Sequence, residues 1–347
     1  MFDQFRPETQ LFDEQWLGDE PETRTLELDS PEGPVRIQYW DSGPAPDATE
    51  GAEASACAGS RPAPLVLTHG LFDSKRVWRY VWRPLARQSR LVAPDLPGMG
   101  LSDKPELRHL PRAERYAPAW LAAQLRRVVD AVGGLDGFVL VGHSLGGALS
   151  LLSLMDEAFA RRVRALVLIA AAGYPQALPR YVARYSGWRG AVMACPLWHD
   201  WLAAWAIRRG RAERGVEAAY RLCVHDVRAV PREALEASLR MASSPGFPYA
   251  ARYIARRLVP RDHARLVERF KEIELPTLVI WGRDDRVVPP EHAGRFGRDL
   301  PNARVVMYDR CGHWPQYERA PETALDIERF IEQVARPHSR SGEDTGG

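Results

Sequence analysis

The sequence predicts an α/β protein, with a mostly parallel sheet of about eight strands, helices on both faces and a helical lid inserted late in the chain. Three observations predict it. Short runs of Val, Leu and Ile recur, each followed by a turn and then a helical pattern. Two earlier segments alternate apolar and polar residues. One apolar run passes through G-x-S-x-G directly into a helix-like stretch.

Residues 1–22 are read as an N-terminal extension, with acids where a signal peptide needs a basic region. Residues 24–28 and 35–39 alternate and suit an exposed antiparallel edge. They open a core predicted over 23–172 and 276–335. Within it, 43–64 is Ala, Gly, Pro, Ser and Glu without periodicity and reads as a flexible surface loop. The runs 65–68, 91–94, 138–141, 165–169, 277–280 and 304–307 are apolar on both faces, as strands covered by helices on each side must be. Residues 120–132 place Leu121, Leu125, Val128, Val129 and Val132 on one helical face and stop at Gly133-Gly134. Residues 173–275 interrupt the rhythm with Trp-rich and Arg-rich helical sequence, predicting the lid. This stretch has 18 basic against 10 acidic residues, a charge of +8, while the remainder carries −6. The tail 336–347 reads as disordered.

Composition excludes several classes. With 45% hydrophobic and 27% charged residues, the chain is neither disordered nor fibrous. A net charge of +2 gives no electrostatic case for a nucleic-acid partner. Cys57, Cys195, Cys223 and Cys311 form no C-x-x-C and are read as reduced thiols, and the histidines have no ligand spacing such as H-E-x-x-H, so no metal site is expected. No apolar run approaches the ~20 residues that span a bilayer. A cytoplasmic protein acting on a small molecule is the expectation.

Phe138 to Val141 leads into Gly142-His143-Ser144-Leu145-Gly146-Gly147 and then Ala148-Leu149-Ser150. A sharp strand-to-helix turn of this kind lifts the Ser144 hydroxyl clear of the sheet. The amide of Leu145 stands at a helix N-terminus, where N–H groups favour a developing negative charge. A serine hydroxyl needs a base, and the base a carboxylate. Two acids, Asp284 and Asp285, follow the strand-like run ending at Trp281, and His313 follows the last strand. The bland alternative for Ser144 is a small residue in a phosphate-binding turn, but the spacing is neither that of a P-loop nor of a dinucleotide fingerprint. For His313 it is a structural loop histidine.

His69-Gly70, Asp95-Leu96-Pro97-Gly98-Met99-Gly100-Leu101-Ser102, the serine turn, Gly282-Arg283-Asp284-Asp285 and Gly312-His313 occur together in one order. In this the chain resembles the serine-nucleophile, esterase-like members of the α/β-hydrolase superfamily over most of its length. The resemblance implies Ser144, Asp285 and His313 as catalytic residues, selecting Asp285 over Asp284. It also implies the backbone N–H groups of Leu71 and Leu145 as the oxyanion hole. Phe72 and Trp314, next to these elements, are expected to meet substrate. No cofactor is required. Asp95 is implied to form a turn, and His69 and His143 to shape their loops rather than move protons.

The leading expectation is a serine carboxylesterase acting on a small apolar or aromatic ester through an acyl-enzyme. A second reading is a carbon–carbon bond hydrolase of the meta-cleavage type, which Cys311-Gly312-His313-Trp314 and Pro315-Gln316-Tyr317-Glu318 resemble. The serine turn departs from that subfamily, which usually has Gly-Asn-Ser-Met-Gly, and the loop after His69 lacks its run of glycines. A reading of another class is a ligand-binding receptor on the same scaffold. Trp188, Trp198, Trp201 and Trp205 crowd the lid, either as its core or as an apolar substrate wall. The run Arg208-Arg209-Gly210-Arg211 permits a membrane-surface helix, a reading less favoured than a solvated face.

Overall fold

The computed structural model describes residues 5–44, 62–176, 211–258 and 263–335. The strands are Thr23–Leu28 (β1), Val35–Asp41 (β2), Leu65–Thr68 (β3), Leu91–Pro94 (β4), Phe138–His143 (β5), Val163–Ile169 (β6), Thr277–Gly282 (β7) and Ala303–Tyr308 (β8). They form one sheet in the order β1-β2-β4-β3-β5-β6-β7-β8. β1 with β2 and β2 with β4 are antiparallel, and the other pairs are parallel. The alternating segments thus make the antiparallel edge.

β3, β4, β5 and β7 are buried along their whole length, as their unbroken apolar runs require. Each fully buried Val or Leu contributes roughly 1.5–3 kcal/mol, so these strands anchor the core. The last strand departs from expectation. Residues 304–307 were expected to be covered on both faces, but β8 is the outer edge of the sheet and Val305 is 36% exposed. A strand paired on one side only lacks the neighbouring layer that would cover it.

Pro118–Val132 forms a helix, with Leu121, Leu125, Val128 and Val129 buried. It ends where Gly133 takes φ 68° and its N–H bonds the Val129 carbonyl. Between β6 and β7 the described residues hold helices and no strand, including Arg211–Cys223, Arg232–Ala242 and Phe247–Arg257. The tryptophan stripe at 188–205, the Arg208 to Gly210 run, most of the 43–64 loop and the 336–347 tail lie outside the described residues. The N-terminal segment packs onto the helix Arg79–Ala86. The Arg79 guanidinium donates to the carbonyls of Leu17 and Gly18, at 2.5 and 2.7 Å, and Phe12 stacks on Tyr80.

Parallel strands bring their C-terminal ends to one rim, the usual place for a site in an open α/β sheet. There β3 runs into His69-Gly70, β5 into Ser144, β7 into the turn with Asp285, and β8 into the loop with His313.

Candidate active site

The serine turn is strained in a way its glycines make feasible. Ser144 has φ 52° and ψ −117°, a conformation that costs a non-glycine residue on the order of 1–3 kcal/mol. Its N–H bonds the Ile169 carbonyl at 2.9 Å, and its own carbonyl accepts from Gly147 and Ala172. A Cβ at Gly146 would lie 2.1 Å from the Thr68 carbonyl oxygen, and one at Gly142 2.6 Å from the Gly146 carbonyl oxygen. Only glycine at both positions lets the helix Leu145–Ser153 start directly off the strand.

The hydroxyl of Ser144 meets His313 Nε2 at 2.9 Å, and His313 Nδ1 meets Asp285 Oδ2 at 2.8 Å. All three residues are buried. The second oxygen of Asp285 accepts the N–H groups of Val287 and Val288, at 2.8 and 2.9 Å. This pins the carboxylate and directs Oδ2 at the imidazole. The tautomer that satisfies the network carries the proton on Nδ1 and leaves Nε2 to accept from the serine. Asp284 points elsewhere, its Oδ2 2.8 Å from His225 Nδ1. The network can strip a proton from the hydroxyl as it attacks an electrophilic carbon.

Leu145 is the first residue of its helix, where the N–H has no intrahelical partner. Leu71 follows Gly70, which lies so close to the serine turn that an added Cβ would sit 3.2 Å from Ser144 Cβ. The loop carrying Leu71 is braced by His69. Its Nε2 accepts the Leu96 N–H at 3.0 Å, so Nδ1 carries the proton and donates to the Gly70 carbonyl at 2.8 Å. Burial pulls the pKa of this ring down, keeping it neutral. A buried ion pair fixes the same loop: Lys75 Nζ lies 2.9 Å from Asp95 Oδ2, and Asp95 also accepts the N–H groups of Lys75 and Leu101.

Two carboxyls near the site were not singled out by sequence. Glu318 accepts from Gly312 N–H at 2.7 Å and from His225 N–H at 2.6 Å, joining the His313 loop to the end of the helix Arg211–Cys223. Burial pushes its pKa up to about 7 against the opposing pull of those donors. Nothing local marks such a residue, because its partners lie on two distant segments. Asp73 is also buried, and burial raises it to about 7, although the Ser74 N–H and the nearby Trp314 indole act in the opposite direction. Among the described residues neither Asp73 Oδ2 nor Trp314 Nε1 closes a hydrogen bond. Trp314 packs on Tyr220 at 4.6 Å and on Tyr317 at 5.7 Å, and Phe72, at φ 53°, meets Phe247 edge-on.

The raised Asp73 predicts a pH dependence. The folded state holds this proton up to about pH 7, whereas an unfolded Asp releases it near 3.8. Folding is therefore favoured fully below that lower value, and the contribution is lost as pH rises to about 7. Asp73→Asn is expected to lose less stability between pH 5 and pH 8 than the wild type, by on the order of a few kcal/mol. Urea midpoints at the two pH values check it, and equal losses would refute it.

Among the described residues, no three His, Cys, Asp or Glu side chains gather into a metal-binding group, and no helix is long and apolar enough to cross a membrane.

The family described as alpha/beta hydrolase fold matches residues 63–320, and the chain belongs to it as a hydrolase. One relative is the 2-hydroxy-6-oxo-2,4-heptadienoate hydrolase of Pseudomonas putida. It is 30% identical over 264 residues, covering 74% of this chain and 84% of that protein. The fold is shared with the meta-cleavage product hydrolase of Pseudomonas fluorescens IP01, at TM-score 0.63 and 22% identity over 86% of this chain and 95% of that one. A thermophilic esterase from Thermogutta terrifontis aligns at TM-score 0.65 and 19% identity, over 91% of this chain and 100% of that one.

Proposed function

We propose that the chain is a serine-dependent hydrolase that cleaves the carbon–carbon bond of a vinylogous diketone of the 2-hydroxy-6-oxo-2,4-dienoate class. The observation that carries the serine-dependent reaction is the run of two short contacts from Ser144 through His313 to Asp285. In this reading Ser144 attacks the 6-keto carbon while His313 takes its proton and Asp285 holds the imidazole. The N–H groups of Leu71 and Leu145 receive the oxyanion. The substrate reacts as its 2,6-diketo tautomer, the 2-hydroxyl proton having moved to C5. Collapse of the adduct then breaks the C5–C6 bond, the electron pair passes through the C3=C4 double bond to the 2-keto oxygen, and the protonated His313 returns its proton to the resulting dienolate. Water then releases the acyl group as a carboxylic acid. Phe72 and Trp314 meet the substrate, and the described helices between β6 and β7 cover it as a lid.

The relative at 30% identity favours this reading over ester cleavage. An ester remains the second reading for a specific reason: His143 stands where the carbon–carbon subfamily usually has asparagine. A panel of chromogenic esters of increasing chain length, assayed beside a vinylogous diketone, separates the two. The diketone is expected to exceed the best ester in kcat/KM by ~10²-fold, about 2.7 kcal/mol of barrier. The reverse order would assign an esterase. No turnover of either, with no fluorophosphonate labelling of folded protein, would leave the receptor reading.

A further inference from the structure

The base is held by its backbone as well as by its side chain. The His313 N–H donates to the Cys223 carbonyl at 2.5 Å, and the His313 carbonyl lies 2.9 Å from Nε2 of His143, the residue immediately before the nucleophile. A carbonyl can only accept, so His143 Nε2 carries the proton and donates. Its other nitrogen, Nδ1, is buried with no partner among the described residues, facing Gly70 so closely that an added Cβ there would lie 2.9 Å from it. The two imidazole rings stand 5.0 Å apart.

We infer that His143 is a positioning residue for the proposed hydrolytic reaction: its Nε2–H fixes the His313 carbonyl, so that the turn presenting the nucleophile also sets the place of the base. The inference rests on the serine-hydrolase reading and adds a residue to it. The two ends of the proton transfer then share one rigid support. Any shift of β5 carries the hydroxyl and the imidazole together, instead of opening the 2.9 Å gap between them. The role also requires an uncharged ring, since a cation here would oppose the imidazolium that forms at His313. Burial drives His143 well below the ordinary histidine range, and the nearby His313 and His69 rings act in the same direction, against the smaller opposing pull of the His313 carbonyl.

The test compares His143→Gln, whose Nε2 can still donate at the same reach, with His143→Met, a chain of similar length that cannot. The methionine variant is expected to lose ~10- to 100-fold in kcat with KM within about threefold, the scale of a misplaced catalytic group. The glutamine variant should recover most of that loss, to within about fivefold. A merely structural role would lower thermal stability in both without this split. Equal kcat in the two variants would overturn the inference. A second measurement needs neither variant nor substrate: nitrogen-15 histidine spectra of the wild-type protein should show His143 protonated at Nε2 alone and not titrating across neutral pH. The Nδ1–H tautomer, or an ordinary titration, would overturn it as well. If fluorophosphonate labels nothing and no substrate turns over, the hydrolase reading falls and the catalytic role of His143 falls with it. Labelled wild type with indifferent His143 variants sinks this inference alone.

Discussion

Ser144→Ala and His313→Ala are each expected to lower turnover by ~10⁴ to 10⁶, with the double variant little worse than either single one. In the proposed reaction the proton transfer needs both ends of the 2.9 Å contact, so removing one partner idles the other. What survives comes from substrate binding and from backbone donors, which these substitutions leave in place. The structure makes the comparison clean, because Ser144 is held by backbone bonds to Ile169, Gly147 and Ala172 that an alanine also forms. Steady-state kinetics on whichever substrate the panel selects would read the loss, and fluorophosphonate labelling would check it without a substrate. A His313→Ala protein within tenfold of wild type would defeat the assignment of the base.

The second large effect is on stability. Lys75→Met should cost about 3–5 kcal/mol, because it strands the Asp95 carboxylate where no water reaches it. The two side chains are 4% and 0% exposed, so their attraction is barely screened. Replacing both, as in Lys75→Met with Asp95→Leu, should recover part of the loss, since removing a whole buried pair costs less than removing half of it. Because the pair anchors the loop carrying Leu71, the single variant should also turn over more slowly at temperatures where it remains folded. Denaturant midpoints for the two single variants and the double variant measure the coupling. A Lys75→Met midpoint equal to that of the wild type would show that the pair contributes nothing net.

The sheet and the serine turn were legible because their signals are local. An unbroken apolar run, the glycines on either side of Ser144 and a helix stopping at Gly133 are each written in neighbouring residues. Asp285 needed more. Two adjacent acids look alike in sequence, and resemblance favoured one of them. In space they differ because Val287 and Val288 turn the Asp285 carboxylate toward His313, while Asp284 reaches His225. The exposure of β8 was missed for a related reason. Apart from Arg304 its residues are about as apolar as those of β7, and its place at the end of the strand order leaves it uncovered.

Consecutive residues therefore specified the strands, the order of the motifs and the chemical types available at the rim. Their period and spacing depend on backbone geometry alone. Contacts between distant segments assigned the rest: the His143 bond to the His313 carbonyl, the Glu318 clamp across Gly312 and His225, and the burial that lifts Asp73. A side chain's hydrogen-bond partner and its access to water belong to the packed chain, and they come into being only when the sheet brings those segments together.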